Sequence, residues 1–282
     1  PKTATTSTSQ ARLRCSSASA WPASRTAGAG PHRPPARRMS RDELCIRIDP
    51  LTLRSMDTNL SSLSPQFSTT ALSAEARALY QAEPDARIRL LQGLRPHICP
   101  FGDVMAQIPA GASVLDVGCG AGLFLLLLGR QAHIRDGLGF DVSVPAVEAA
   151  QRAAETSGLA ETLTFQVRSI EEGMPEGHWN VVTSVDVLHH VPVSQQRSFV
   201  ESLCERVPRG GRLVIKDMVA RPRWRAWANQ MHDLVMARQW VHQVGPEEVD
   251  GWIQAKGLSR VYRSRINSWW YGHWTLVYDR AS

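Results

Sequence analysis

Along residues 113–217, short apolar runs alternate with longer stretches whose apolar positions recur at helical spacing. The pattern predicts strands over 113–117, 137–142, 163–168, 180–185 and 212–217. Between them it predicts helices over 123–131, from a Ser143 cap to a Gly158 stop, and over 195–207, where Phe199, Val200 and Leu203 share a face. Strands alternating with helices of this length give βαβ units and a parallel sheet. Right-handed crossovers then make a doubly wound, Rossmann-like α/β sandwich with helices on both faces.

The flanks read differently. Before the alternation, Ser73 is the expected N-cap of a helix over 74–81. A second helix follows Pro84, with Ile88, Leu90, Leu91 and Leu94 on its apolar side and Pro96 and Pro100 interrupting it. After the alternation, residues 222–243 form a long predicted helix with Trp224, Trp227, Met231 and Leu234 at helical spacing. A helix over 246–256 stops at Gly257, and strands over 259–266 and 274–279 flank a short aromatic turn.

Charge divides the chain. The 282 residues carry 32 basic and 26 acidic side chains. Eight of the basic residues and none of the acidic ones fall within residues 1–41, so the remainder is nearly neutral at −2. The basic segment is rich in Ser, Thr, Ala, Pro and Arg and cannot bury a core. Residues 1–60 are read as a disordered or non-native tail, with Met39 or Met56 as a start. An organelle transit peptide and a nucleic-acid-binding arm are the other readings of this segment. The folded domain is placed at 70–282. No apolar run approaches the ~20 residues of a membrane span. The five cysteines form no CxxC pair and point to a reducing, cytoplasmic setting with no metal centre.

The chemistry concentrates in Asp116-Val117-Gly118-Cys119-Gly120-Ala121-Gly122, between a predicted strand and a predicted helix. Glycines there let backbone approach a ligand at the carboxyl edge of the sheet. No lysine follows, which excludes a phosphate loop. The third glycine comes one residue too early for a dinucleotide fingerprint. Asp116 would repel a pyrophosphate and attract a cation. S-adenosylmethionine, with a sulfonium and an amino group, is such a ligand. Asp141 ends the next strand about 20 residues on, where a carboxylate can read ribose hydroxyls.

Residues 114–124, with Gly139-Phe140-Asp141-Val142, the segment from Trp179 to Pro192 with its Leu188-His189-His190 ending, and Pro208-Arg209-Gly210-Gly211, resemble the class I S-adenosylmethionine-dependent methyltransferases. The likeness covers roughly residues 85–282 and is nearest to the small-molecule, quinone-biosynthesis-like branch. It implies a seven-stranded sheet, mostly parallel with an antiparallel last strand. It also implies S-adenosyl-L-methionine as cofactor, bordered by Asp116, Gly118, Cys119, Gly120 and Gly122. Asp141 would bond the ribose, Val142 and Ile170 would sandwich the adenine, and Asp186 and Leu188 would shape the cleft. Two positions depart from the family. Ser169 stands where an Asp usually bonds the adenine amine, and Asn180 replaces the Asp that opens the fourth strand.

A hydroxyl acceptor requires a base, and His189 and His190 follow the fourth strand at the reacting edge. Capping of the next turn is the competing reading for both. Eight of nine tryptophans lie beyond residue 178. Trp224, Trp227, His232, Trp269, Trp270, Tyr271 and His273 are therefore candidates for the acceptor pocket. An aromatic lid suits a small, hydrophobic acceptor better than nucleic acid. The competing functions are RNA or protein methylation, and a silent binding protein on the same fold. The oligomeric state is not encoded in any motif.

Overall fold

The computed structural model describes residues 67–219, 244–268 and 271–282. The predicted tail and the predicted 222–243 helix lie outside these residues, as do Trp269 and Trp270.

The elements are α1 (Thr69–Leu79), α2 (Ala86–Ile98), α3 (Phe101–Met105), β1 (Ala112–Val117), α4 (Leu123–Arg130), β2 (Ile134–Asp141), α5 (Val144–Thr156), β3 (Leu163–Val167), β4 (Val181–Val185), α6 (Val193–Arg206), β5 (Arg212–Met218), α7 (Pro246–Ala255), β6 (Leu258–Ser268) and β7 (Tyr271–Arg280). They build a seven-stranded sheet in the order β3-β2-β1-β4-β5-β7-β6. β1 to β5 pair in parallel, and β7 runs antiparallel between β5 and β6. The order reverses between β1 and β4, which opens a crevice at their carboxyl ends.

Strand alternation splits the interior into two cores. Val114, Val181, Val214 and Val277 face the layer of α1, α3, α4 and α5. Their neighbours Leu115, Val182, Leu213, Ile215 and Leu276 face α6 and α7. Period-two side-chain placement in strands buried on both faces produces this division.

The N-terminal boundaries differ from expectation. Ser68, not Ser73, caps α1, its hydroxyl accepting from Ala71 N at 3.3 Å. Ser73 is buried and donates to Gly93 O at 2.7 Å. Asp85 caps α2, which continues through Pro96. Leu90 and Leu94, expected on the apolar side of that helix, are 65% and 38% exposed. The helix instead buries Gln92, Gly93 and Pro96, because the small Gly93 admits the side chain of Arg77 from α1. Asn180 is structural: its Oδ1 accepts from Ser113 N at 2.7 Å and ties β1 to the entry of β4.

Candidate active site

A cleft of about 900 Å³ opens at the carboxyl ends of β1, β2 and β4. Gly118, Gly120, Asp141, Val142, Ser169, Ile170, Asp186 and His190 line it, all expected from sequence. A smaller cavity of about 50 Å³ lies behind the glycine turn and is lined by Asp116, Cys119 and Phe101. Arg95, Gly118 and Gly120 border both spaces.

The turn is held from two sides. Gly118 N and Cys119 N donate to Phe140 O at 2.9 and 3.0 Å, and Gly122 N donates to Cys119 O at 2.9 Å. Gly120 N donates to Asp141 Oδ2 at 2.9 Å. Four of the turn's five amides are therefore already bonded inside the protein. Tyr80, buried at the C-cap of α1, donates its hydroxyl to Ala121 O and pins the other side. Gly118 has φ +74°, and a Cβ there would sit 2.5 Å from Val187, so both backbone and space require glycine. Gly122 lies outside the cleft; a Cβ there would strike Phe165 and Ala150. Its φ of +79° also requires glycine.

Three carboxylates surround this turn, each in a different state. Asp141 Oδ1 accepts from Ser143 N at 2.9 Å while its Oδ2 takes Gly120, and both oxygens keep a lone pair for a ligand. Asp116 is buried behind the turn, and Thr183 Oγ1 donates to it at 2.6 Å. Burial pushes the Asp116 carboxyl up to about 7, the Thr183 hydrogen bond opposing. Asp186 adopts φ +58°, rare for a residue with a side chain. Its Oδ1 meets Lys216 Nζ at 2.5 Å, and Arg95 stands 3.7 Å from its Oδ2. Burial would raise the Asp186 carboxyl, but Lys216 and Arg95 hold it well below the usual carboxylate range.

The two histidines separate. His189 is buried, with Nδ1 2.5 Å from Asp217 Oδ1 and its backbone N–H donating to Asp217 Oδ2 at 3.1 Å. It does not line the cleft, and that pairing explains why: it ties the loop after β4 to β5. His190 is exposed and lines the cleft, its ring centroid 4.1 Å from that of His189. Leu188 is buried beneath them.

His273 is corrected from an aromatic turn to the interior of β7, where it pairs with Met218 and Ile266. It is buried, and burial together with Lys216 lowers its imidazole to about 3. Trp274 is likewise core, donating Nε1–H to Met218 O at 2.9 Å. β7 starts three residues before the predicted strand, which draws both side chains inward. Tyr271 is its first residue. Trp224, Trp227, His232, Trp269 and Trp270 lie outside the described residues.

Sequence reasoning missed Arg95, Tyr80, Lys216 and Glu171. Arg95 and Tyr80 come from helices that carry no motif, and Lys216 looks like an ordinary strand residue. Glu171 lines the cleft two positions after Ser169 and makes no ion pair among the described residues. Ser169 itself is engaged as an N-cap: its hydroxyl accepts from Glu171 N at 3.2 Å, while Glu172 returns to Ser169 N at 3.1 Å.

A family model described as a methyltransferase domain matches residues 91–262. The chain belongs to the methyltransferase family. It falls among the class I S-adenosylmethionine-dependent members. Among curated relatives, a ribosomal protein L11 methyltransferase of Neisseria meningitidis is 27% identical over 154 residues, covering 55% of this chain and 46% of the relative. A ubiquinone biosynthesis O-methyltransferase of Psychrobacter arcticus is 32% identical over 116 residues, covering 40% and 44%. The matched part thus spans about half the length of these relatives. In fold, the chain is similar to magnesium protoporphyrin IX methyltransferase from Synechocystis, with a TM-score of 0.55 and 20% identity over 77% of this chain and 96% of that one.

The methyltransferase cleft fits the family's cofactor. Space beside Gly120 is open to 4 Å around a built Cβ. Asp141 keeps a lone pair on each oxygen beside that space, a set that two neighbouring hydroxyls would fit. Among the described residues no cluster of His, Cys, Asp and Glu could hold a metal ion.

Proposed function

We propose that this methyltransferase moves a methyl group from S-adenosylmethionine to a small, apolar or aromatic acceptor. One observation carries the reading: the glycine turn has four of its five amides internally bonded and lies among Asp116, Asp141 and Asp186. Such a site favours a positively charged nucleoside. The bound cofactor supplies an electrophilic methyl carbon, and the protein supplies position and electrostatics.

Asp141 takes the ribose hydroxyls, and Val142 and Ile170 enclose the adenine. Glu171 accepts the adenine amine that the engaged Ser169 holds less well. Arg95, which borders both cavities, pairs with the carboxylate of the amino-acid moiety, and Asp116 faces its ammonium. Asp186, held ionised by Lys216, faces the positive charge in the cleft. His190 accepts the proton of a hydroxyl acceptor. Its orientation is supported by His189, which Asp217 fixes through two contacts. The near-neutral balance of residues 42–282 favours a small molecule over nucleic acid.

The test is calorimetry with S-adenosylhomocysteine, followed by transfer of a labelled methyl group in a cell extract depleted of small molecules or of protein. Label in the organic-soluble fraction is expected. A protein acceptor is the second reading, favoured by the likeness to the L11 methyltransferase over 154 residues. Label in the acid-precipitable fraction would replace the first reading with it.

A further inference from the structure

Among the described residues, one face of α2 carries exposed apolar side chains. Leu90 and Leu94, one helical turn apart, are 65% and 38% exposed. Arg87, three residues before Leu90, is exposed on the same face, and Arg89 is exposed on the adjoining side, where its guanidinium donates to Glu83 O at 2.6 Å. Arg77 of α1 lies across Gly93 of the same helix. The 13 residues of α2 contain three arginines, one histidine and no acid. Asp85, the nearest carboxylate, is occupied as the N-cap, accepting from Arg87 N at 2.7 Å.

A row of apolar side chains flanked by arginines is costly in water and has a natural complement. It matches an anionic bilayer surface, where leucines enter the headgroup boundary and arginines meet phosphates. We propose that α2 is a peripheral membrane-docking helix for anionic lipid. Two further observations agree. The eight basic and no acidic residues of segment 1–41 add attraction of the same sign, whereas the rest of the chain is net acidic. No helix among the described residues is long and apolar enough to cross a membrane, so contact here would be at the surface.

The placement has a purpose. Arg95 belongs to the adjoining stripe of α2 and lines the methyltransferase cleft. Docking on Leu90 and Leu94 brings that cleft to the lipid surface, where an apolar acceptor resides. This purpose rests on the apolar-acceptor reading; the docking itself does not.

The experiment is co-sedimentation of the full chain, without cofactor or acceptor, with vesicles of phosphatidylcholine alone or mixed with phosphatidylglycerol. The wild type is expected to bind the anionic vesicles, more weakly at high salt, and to leave the neutral ones in the supernatant. Leu90→Ser with Leu94→Ser, and separately Arg87→Glu, are expected to weaken partitioning about tenfold or more. Their circular dichroism and melting temperature should match the wild type, since these side chains are exposed. Absence of wild-type binding overturns the proposal. So does equal binding by the leucine variant, which would assign the attraction to residues 1–41. Concentration-dependent dimerisation lost in the leucine variant would make the face a protein interface instead and also overturn it. S-adenosylhomocysteine affinity, measured on the same samples, reports separately on the cofactor reading.

Discussion

Asp141, at the end of β2, receives the backbone N–H of Gly120 at 2.9 Å. One carboxylate thereby sets the shape of the glycine turn and faces the space beside it. Replacing it removes a ligand contact and a turn contact together. Asp141→Ala is expected to weaken S-adenosylhomocysteine binding by about 1.5–3 kcal/mol, the worth of hydrogen bonds to a charged group. Calorimetry checks this, and an unchanged dissociation constant would remove Asp141 from the site.

Asp116 gives a pH dependence with a definite sign. Its carboxyl ionises near 3.8 when exposed and at about 7 when buried in the fold. Between these values the folded protein holds a proton that the unfolded chain has lost, so this group lowers stability as pH rises through that window. A bound cation favours the ionised form. Cofactor affinity is therefore expected to increase from about pH 6 to about pH 8, with proton release at the lower end. Calorimetry in buffers of different ionisation enthalpy detects the released proton. Asp116→Asn should abolish that release and flatten the affinity profile.

Lys216 is fully buried against Asp186. Burial lowers the affinity of its ammonium for a proton, but Asp186 outweighs it and the net shift is upward. Lys216→Met leaves the Asp186 carboxylate with Arg95, 3.7 Å away, as its remaining close cation and should destabilise the fold by about 3 kcal/mol in urea titration. Adding Asp186→Asn should recover much of that loss. Because the Asp186 carboxyl is held low, the pair's contribution is present at neutral pH and fades as the pH falls below the ordinary carboxylate range.

For a hydroxyl acceptor, His190→Ala is expected to lower kcat by about 10²–10⁴ while cofactor affinity stays within twofold or so. The rate profile should lose its acidic limb. A variant with full turnover would reduce His190 to a wall of the cleft.

Glu171 is expected to discriminate the adenine amine. Glu171→Ala should bind S-adenosylhomocysteine about tenfold less well and should erase the preference for it over the inosine analogue. Equal preference in variant and wild type would return that contact to Ser169.

The strands were readable because they are runs of branched residues buried on both faces, and their alternation with helices left one architecture. The glycine turn and Asp141 were readable because close backbone approach and a carboxylate at a strand end have few other causes. Period alone could not say that α2 buries Gln92, Gly93 and Pro96 while exposing Leu90 and Leu94: the close fit to α1 overrides the apolar count. Nor could adjacency separate His189 from His190: their rings are neighbours, and only the distant Asp217 draws His189 inward while His190 stays at the cleft. Arg95 and Lys216 carry no local signature. Their meaning comes from Asp186, which is distant in sequence from both.

The spent amides of the glycine turn also bear on competition inside a cell. ATP and the nicotinamide dinucleotides share the adenosine half of the cofactor and are abundant. Four of the five amides between Gly118 and Gly122 are engaged within the chain, so a polyphosphate tail would find fewer donors at this bend than an open phosphate loop offers. Discrimination against these common metabolites would then begin in the backbone itself.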